Sequence, residues 1–229
     1  MRFGVITFPG SNCDQDMIYV LEHIMGLTVE RLWHKETDLK GVDFVVLPGG
    51  FSYGDYLRSG AIANYSPIMK EVMHHANRGG YVLGICNGFQ ILCESQLLPG
   101  TLLHNDHQKF MCKNTFLKAA NNASLINQKV DVNTVLKIPI AHAEGRFYAP
   151  EDLLNEIVAN DQVIYHYCDE AGNISPESNP NGSVQNIAGV CNAERNVFGM
   201  MPHPERAADP ELGNTDGLKI LEGLLEDLV

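Results

Sequence analysis

The sequence predicts an α/β fold with an open, mostly parallel central sheet flanked by helices, and with added β segments in the C-terminal half. In the first half, short apolar runs alternate with helical patterns, which is typical of a parallel sheet covered on both faces. After about Thr101 the strand-like runs follow one another without long helical patterns. Because 229 residues with 45% hydrophobic content can form one continuous core, we expect a single domain over residues 1–229.

The elements of the first half follow from hydrophobic periodicity and turn residues. The predicted strands are Arg2–Phe8, Thr28–Trp33, Asp43–Pro48 and Tyr81–Ile85, and the predicted helices are Asp14–Met25, Ile62–Asn77 and Asn87–Ser95. Ligands of open α/β sheets bind beyond the carboxyl ends of the strands. We therefore expect the loops after the first, third and fourth strands to converge on one crevice.

The second half is predicted to be largely β. Its strand-like segments are Asn114–Ala119, Thr134–Ala141, Gln162–Tyr167, Val184–Asn192 and Val197–Met201. The stretch from Asp169 to Asn186 is rich in Gly, Pro, Ser and Asn and predicts an exposed connection. The leucines of Thr215–Leu228 share one face of a predicted final helix, which would pack on the sheet.

The composition excludes some functions and favours one location. A formal net charge of -12 argues against nonspecific binding to nucleic acid or anionic membranes, because both need a surplus of Lys and Arg. No apolar run reaches membrane-spanning length, and no charged leader precedes a long apolar stretch, so a secretory signal is not expected. Six dispersed cysteines in a chain of this size predict free thiols and a cytoplasmic location.

A candidate nucleophile follows the fourth predicted strand, in Gly84-Ile85-Cys86-Asn87-Gly88-Phe89-Gln90. Gly84 and Gly88 lie two residues either side of Cys86, as in the G-x-S-x-G nucleophile elbow, with sulfur replacing the serine hydroxyl. Because such a turn presents the nucleophile, we expect an exposed sulfur, and the N-terminus of the next helix favours its thiolate form. The Asn87 N–H is then a natural donor to an oxyanion.

A candidate base lies in Met201-Pro202-His203-Pro204-Glu205, after the last predicted strand. Pro204 disfavours helical dihedrals at His203, so an extended backbone would place the side chains of His203 and Glu205 on the same side. The carboxylate would fix the tautomer of the imidazole, whose other nitrogen faces Cys86. Alone, His-Pro-Glu is an ordinary strand end, but with the cysteine elbow it predicts a nucleophile, a base and an orienting acid.

Two alternatives remain open for these roles. His142-Ala143-Glu144 also follows a predicted strand, but Gly145 makes it more flexible, and Arg146 beside Phe147 better suits gripping a ligand or a partner. Cys13 lies in the first loop and is a rival nucleophile, although it lacks the flanking glycines of the elbow.

Paired glycines in Pro48-Gly49-Gly50-Phe51 follow the third predicted strand. They allow backbone N–H groups to turn inward, so that one near Gly50 or Phe51 would join the Asn87 N–H in an oxyanion hole. A plain turn is the alternative interpretation. The Gly-x4-Gly-Lys-Ser/Thr pattern of a phosphate cradle is absent, and the remaining histidines lack metal-binding spacing, so neither ATP nor a metal is predicted here.

These segments resemble those of the class I, triad-type glutamine amidotransferases, and more closely those of the glutaminase subunits of phosphoribosylformylglycinamidine synthase, over nearly the whole chain. The segments that carry the resemblance are 8–14 (FPGSNCD), 48–60 (PGGFSYGDYLRSG), 84–90 (GICNGFQ), 140–147 (IAHAEGRF) and 202–206 (PHPER). The resemblance implies flavodoxin-like layering of the fold. It also implies L-glutamine as substrate, Cys86 as nucleophile, His203 as base and Glu205 as the acid that orients it.

The resemblance further implies that ammonia released from glutamine passes to a large synthetase subunit, and that a small accessory subunit completes the complex. ATP and Mg²⁺ would act on that partner, and no cofactor is expected in this chain. Gln90 is expected to face the glutamine pocket, and His142, Arg146 and Arg58 are expected to border the substrate or the partner. Other possibilities are another class I amidotransferase, a stand-alone cysteine hydrolase, or a catalytically silent binding module of the same fold.

Overall fold

The computed structural model describes residues 1–225, and within them a nine-stranded sheet runs in the order β2-β1-β3-β4-β11-β10-β9-β6-β7 beside a two-stranded sheet of β5 and β8. The strands are β1 Arg2–Thr7, β2 Thr28–Trp33, β3 Phe44–Leu47, β4 Tyr81–Ile85, β5 Thr101–Leu103, β6 Met111–Ala119, β7 Val135–His142, β8 Arg146–Tyr148, β9 Val163–Cys168, β10 Ile187–Cys191 and β11 Val197–Met200. The helices are α1 Asp14–Tyr19, α2 Pro67–Asn77, α3 Asn87–Glu94, α4 Glu151–Ala159 and α5 Asp216–Gly223.

The large sheet has a parallel part and an antiparallel part, and this confirms the predicted fold class. From β2 to β11 the neighbouring strands are parallel, and from β11 to β7 they are antiparallel. Every residue of β3 is buried, as expected for a strand covered on both faces. The antiparallel part contains the added β segments of the C-terminal half.

Several boundaries differ from the prediction. The predicted helix Asp14–Met25 is α1 followed by a π-helical turn at Val20–Ile24. The predicted helix Ile62–Asn77 begins only at Pro67, because proline lacks an N–H and suits the first turn of a helix. Helix α4 and strands β5 and β8 were not predicted, and the two strands have only three residues each, too few to show alternation.

Helix α5 supports the turn that carries the candidate base. It packs against β7 and against the 3₁₀ turn Pro204–Ala207. A Cβ atom at Gly217 would lie 2.0 Å from the Pro204 carbonyl oxygen, so only glycine allows this approach. The part of the predicted helix Thr215–Leu228 beyond residue 225 lies outside the described residues. Among residues 1–225, no helix is both long and apolar enough to cross a membrane.

The two glycines of the elbow are required by close backbone packing. A Cβ atom at Gly88 would lie 1.9 Å from the carbonyl oxygen of Leu47 in β3, and one at Gly84 would lie 2.6 Å from the Gly88 carbonyl carbon. The backbone of helix α3 therefore packs directly against the backbones of β4, the strand that precedes it, and of β3. This contact fixes the start of the helix, and with it the position of Cys86.

Replacing Gly88 by alanine should destabilise the protein strongly, because the clash is with backbone atoms that cannot rotate away. We expect Gly88→Ala to lower the free energy of unfolding by about 3 kcal/mol or more, measured by chemical denaturation. Gly213→Ala is the matched control, since its Cβ would meet no atom within 4 Å and only its positive φ of 71° opposes the change. A loss of roughly 1 kcal/mol is expected there. Equal losses in both variants would contradict the steric explanation.

Candidate active site

Cys86 occupies a strained backbone position between β4 and α3. Its φ of 51° and ψ of -104° lie outside the regions that non-glycine residues normally adopt. Such strain costs of order 1–3 kcal/mol and persists where the surrounding structure imposes it. Here the Cys86 N–H donates to the Met200 carbonyl at 2.8 Å, and the Cys86 carbonyl accepts from the Gln90 N–H at 3.1 Å. The geometry is that of a nucleophile elbow.

The expectation of an exposed sulfur is wrong, because Cys86 is only 4% exposed. Its Sγ lies 3.8 Å from the Ala141 carbonyl oxygen at the end of β7, and Gly50 and Phe51 line the same cavities as Cys86. The elbow determines where the sulfur points, but the segments around it come from distant parts of the chain. Cys86 instead lines two small cavities, of about 150 Å³ and about 60 Å³, that meet at this residue.

His203 and Glu205 are in direct contact. The imidazole Nδ1 lies 2.6 Å from Glu205 Oε1, and the two residues are 1% and 3% exposed. The contact does not come from an extended strand, as the sequence analysis assumed. His203 (φ -103°, ψ 89°) leads into the 3₁₀ turn that begins at Pro204, and this turn brings Glu205 back to the ring.

The remaining nitrogen of the imidazole is available to the nucleophile. His203 Nε2 is buried and has no hydrogen-bond partner among residues 1–225, and His203 shares the larger cavity with Cys86. Burial alone would lower the pKa of His203, but the Glu205 carboxylate, with the sulfurs of Cys86 and Cys13, raises that pKa well above its usual value. The site therefore favours an imidazolium beside the sulfur.

The second His-x-Glu pair is arranged differently. His142 Nδ1 lies 3.1 Å from the Asn105 side-chain oxygen, whereas Glu144 Oε1 lies 3.1 Å from His104 Nε2. The two residues therefore engage separate partners rather than each other. Burial, together with the charge of His203, lowers the pKa of His142 to about 3, so its ring is neutral near pH 7. It lacks the carboxylate that would make it a base of the triad type.

The structure narrows the choice of oxyanion donors. The Phe51 N–H already donates to the Gly10 carbonyl at 3.0 Å, which removes Phe51 as a donor and leaves Gly50. Gly50 has a φ of 146°, and a Cβ atom there would lie 2.8 Å from the Asn12 nitrogen. Asn87 begins α3, where backbone N–H groups have no partner within the helix. The Gly50 and Asn87 amides are thus the candidate donors.

The other predicted residues take different positions. Gln90 lines the smaller cavity, and its Nε2 donates to the Glu144 carbonyl at 2.6 Å. Arg58 forms an ion pair with Glu94 at the surface. Arg146 is half-buried in β8 and lines neither of the two cavities that meet at Cys86.

Arg206, which contacts the sulfur of Cys13, was not among the predicted site residues. Arg206 Nη2 lies 3.1 Å from Cys13 Sγ, and Arg206 Nε donates to Asp16 at 3.1 Å. Cys13, Arg206 and His203 all line the larger cavity. The rival nucleophile therefore lies in the same site as the elbow cysteine, but outside the strained turn. In the sequence, the one feature that distinguishes Arg206 is its position directly after His-Pro-Glu.

One group of donor atoms among residues 1–225 is close enough together to suit a metal ion. The ligand atoms of Cys13, His203 and Glu205 lie within 4.8 Å of one another. However, His203 Nδ1 and Glu205 bind each other, and Cys13 accepts from Arg206. These donors are already engaged, so the group does not fit a preformed metal site.

Another cavity, of about 540 Å³, lies away from Cys86. It is lined by residues of three segments: 76–79, 96–99 and 192–194, with Leu153 and Gln162. None of the candidate catalytic residues lines it. The chemistry is therefore assigned to the smaller cavities at Cys86.

A cysteine at a strand-to-helix elbow that shares a cavity with a buried His–Glu pair is the arrangement expected of a hydrolase site of the triad type. The family model described as a CobB/CobQ-like glutamine amidotransferase domain matches residues 1–216, and the chain belongs to this family. The family membership agrees with the resemblance seen in the sequence.

Individual relatives are similar over the full chain. The phosphoribosylformylglycinamidine synthase subunit PurQ of Nostoc sp. is 52% identical over 229 residues, covering 100% of this chain and 99% of the relative. The PurQ subunit of Aquifex aeolicus is 52% identical over 227 residues, covering 99% of this chain and 100% of the relative. The solved structure of PurLQS from Thermotoga maritima matches with a TM-score of 0.87 and 39% identity, covering 100% of this chain and 99% of that chain. A glutamine amidotransferase from the same organism, 17% identical with a TM-score of 0.60, shares the fold.

The ion pair of His203 and Glu205 should make stability depend on pH in a defined direction. The pKa of His203 is raised in the folded protein. The contribution of the ion pair to the free energy of unfolding is therefore fully present at pH values below the pKa that His203 has in the unfolded chain. It is lost as the pH rises through the pKa of His203 in the folded protein. Glu205→Gln should therefore cost about 3–5 kcal/mol at around pH 6, and less at around pH 9, in denaturant titrations.

Glu170→Gln, which changes an exposed glutamate, is the matched control and should show no such pH dependence. A cost for Glu205→Gln that is equal at both pH values would refute the assignment of a charged imidazole.

Proposed function

We propose that this chain is the glutaminase subunit of phosphoribosylformylglycinamidine synthase, a ligase complex of purine biosynthesis that uses glutamine as the nitrogen donor. The observation that carries the proposal is the shared cavity of Cys86 and His203, with Glu205 held 2.6 Å from the imidazole. Relatives named as this subunit support it, because they are 52% identical and match from end to end.

In the first half of the reaction, the Cys86 thiolate attacks the side-chain carboxamide carbon of L-glutamine. The developing oxyanion accepts hydrogen bonds from the Gly50 and Asn87 amides. The imidazolium of His203 gives its proton to the departing nitrogen, so that ammonia leaves and a glutamyl thioester remains on Cys86. Glu205 holds the ring in the orientation that this transfer needs.

In the second half, His203 takes a proton from water, which attacks the thioester carbonyl and releases glutamate. A positioned base of this kind contributes on the order of 10²–10⁴ in rate. Ammonia then passes to the large synthetase subunit, where ATP and Mg²⁺ act, and a small accessory subunit completes the assembly. This chain itself needs no cofactor for these steps.

The same proposal treats residues 1–229 as one glutamine amidotransferase domain in the cytoplasm. Six dispersed cysteines in a chain large enough to fold without disulfides support the location. Another class I amidotransferase, a stand-alone hydrolase and a silent binding module are less favoured. The full-length match to subunits of one complex argues against the first two, and the assembled site argues against the third.

Loss of the nucleophile should abolish only one of the two activities of the complex. With Cys86→Ser in the reconstituted complex, we expect glutamine-dependent amidine synthesis to fall by roughly 10⁶-fold, as when a nucleophile is removed from a triad. Synthesis from added ammonium salt should be unchanged, because it bypasses this chain. Loss of both activities would contradict the division of labour between the subunits.

Labelling should separate the two cysteines of the site. We expect a glutamine-like diazo ketone to modify Cys86 alone, since only its sulfur faces the carboxamide position between the oxyanion donors. Mass spectrometry of digested protein identifies the modified residue, and Cys13→Ser should label as the wild type does. Modification of Cys13 in place of Cys86 would identify Cys13 as the nucleophile.

A further inference from the structure

The two cavities that meet at Cys86 divide the space around a bound substrate. The larger cavity contains His203, which must face the departing nitrogen. The amino-acid end of the substrate must then extend to the other side of the sulfur, into the smaller cavity beside Gln90. The groups that line the smaller cavity therefore determine which amides are accepted.

Two acceptors in the smaller cavity have no partner among residues 1–225. The first is Oδ1 of Asp55. This atom is buried, although the residue as a whole is only partly buried. The second is Nε2 of His142, a residue that is 3% exposed. Buried polar atoms are normally hydrogen-bonded, so two unmatched atoms in one cavity point to a ligand that supplies donors.

The hydrogen bonds of Asn105 establish which tautomer His142 adopts. The Asn105 amide nitrogen donates to the carbonyls of His142 and Lys109, so its Oδ1 is an acceptor. That oxygen accepts from the Gly145 N–H and lies 3.1 Å from His142 Nδ1, which must therefore carry the proton. Nε2 consequently offers a lone pair to the cavity, and cannot be a donor.

The charges around the cavity favour a cation. No Lys or Arg is among the residues that line it. Burial, opposed by a hydrogen bond from Ser59 and reinforced by the charge of Glu144, raises the pKa of Asp55 to about 6. Glu144 is already engaged, with one oxygen 3.1 Å from His104 Nε2 and the other 3.4 Å from the Ser59 N–H. The uncompensated charge is therefore that of Asp55.

We propose that Asp55 binds the α-ammonium group of glutamine, with His142 Nε2 as a second acceptor, and so selects α-amino acid amides. The inference rests on the proposed function, because it takes the carboxamide of glutamine to lie at Cys86. An ammonium group supplies both the positive charge and the several donors that the two acceptors lack.

The test compares two substrates in the reconstituted complex. Glutamine is compared with 4-carbamoylbutanoate, which keeps the carboxamide and the carboxylate but lacks the amino group. In Asp55→Asn, which keeps the size of the side chain, the preference of kcat/KM for glutamine over the analogue should fall roughly 10- to 100-fold. The KM for glutamine should rise, while kcat with glutamine changes little, since Asp55 lies away from the reacting atoms.

Three controls make the result specific. Asp152→Asn removes an exposed carboxylate on α4 outside both cavities and should keep the wild-type preference. Glu144→Gln should reduce the preference less than Asp55→Asn does, because Glu144 already has partners. Ammonia-dependent synthesis by each variant complex checks that the chain has folded and assembled.

The outcomes separate the two proposals. If Asp55→Asn keeps the wild-type preference, or if Glu144→Gln removes it and Asp55→Asn does not, the assignment of Asp55 is overturned while the glutaminase function stands. If the wild-type complex releases no ammonia from glutamine, the proposed function itself fails, and this inference fails with it.

Discussion

The parallel pairing of β4 with β11 is the constraint on which the candidate site depends. Its register sets Ile85 opposite Met200, so that Cys86 and the segment leading to His203 leave the sheet side by side. The hydrogen bond from the Cys86 N–H to the Met200 carbonyl extends this pairing by one step. The candidate nucleophile and the candidate base are far apart in the chain, and the core of the sheet holds them side by side.

Burying charged groups costs free energy, and the contacts that compensate these charges fix the geometry of the site. The His203–Glu205 pair is almost fully buried, and such a pair is tolerated because the two opposite charges compensate each other. Arg206 plays a similar part for Cys13, beside the same cavity. The smaller cavity differs, since no Lys or Arg lines it and Oδ1 of Asp55 has no hydrogen-bond partner among residues 1–225. The charges of His203 and Glu205 compensate each other within the fold, whereas a positive group to match Asp55 would have to come from a ligand.

Patterns within short stretches of the sequence were enough to predict the elbow and some of the strands. The elbow followed from two glycines around a cysteine after an apolar run, and β2 and β4 were placed at their observed bounds. The start of α2 was wrong because apolar periodicity continues through a separate 3₁₀ turn. The predicted exposure of Cys86 was also wrong, because β7 and the loop after β3, which are distant in the sequence, lie around the cavity that its sulfur lines.

The sequence by itself determined the fold class, the candidate nucleophile and the His–Glu pair, because each depends on residues close together in the chain. Only the tertiary structure decided that the Phe51 amide is already engaged, which leaves Gly50 as the candidate donor. It also decided that His142 and Glu144 have separate partners and that Asp55 lines the smaller cavity. The physical reason is that hydrogen bonding and burial depend on neighbours in space, and those neighbours are distant segments brought together by the order of strands in the sheet.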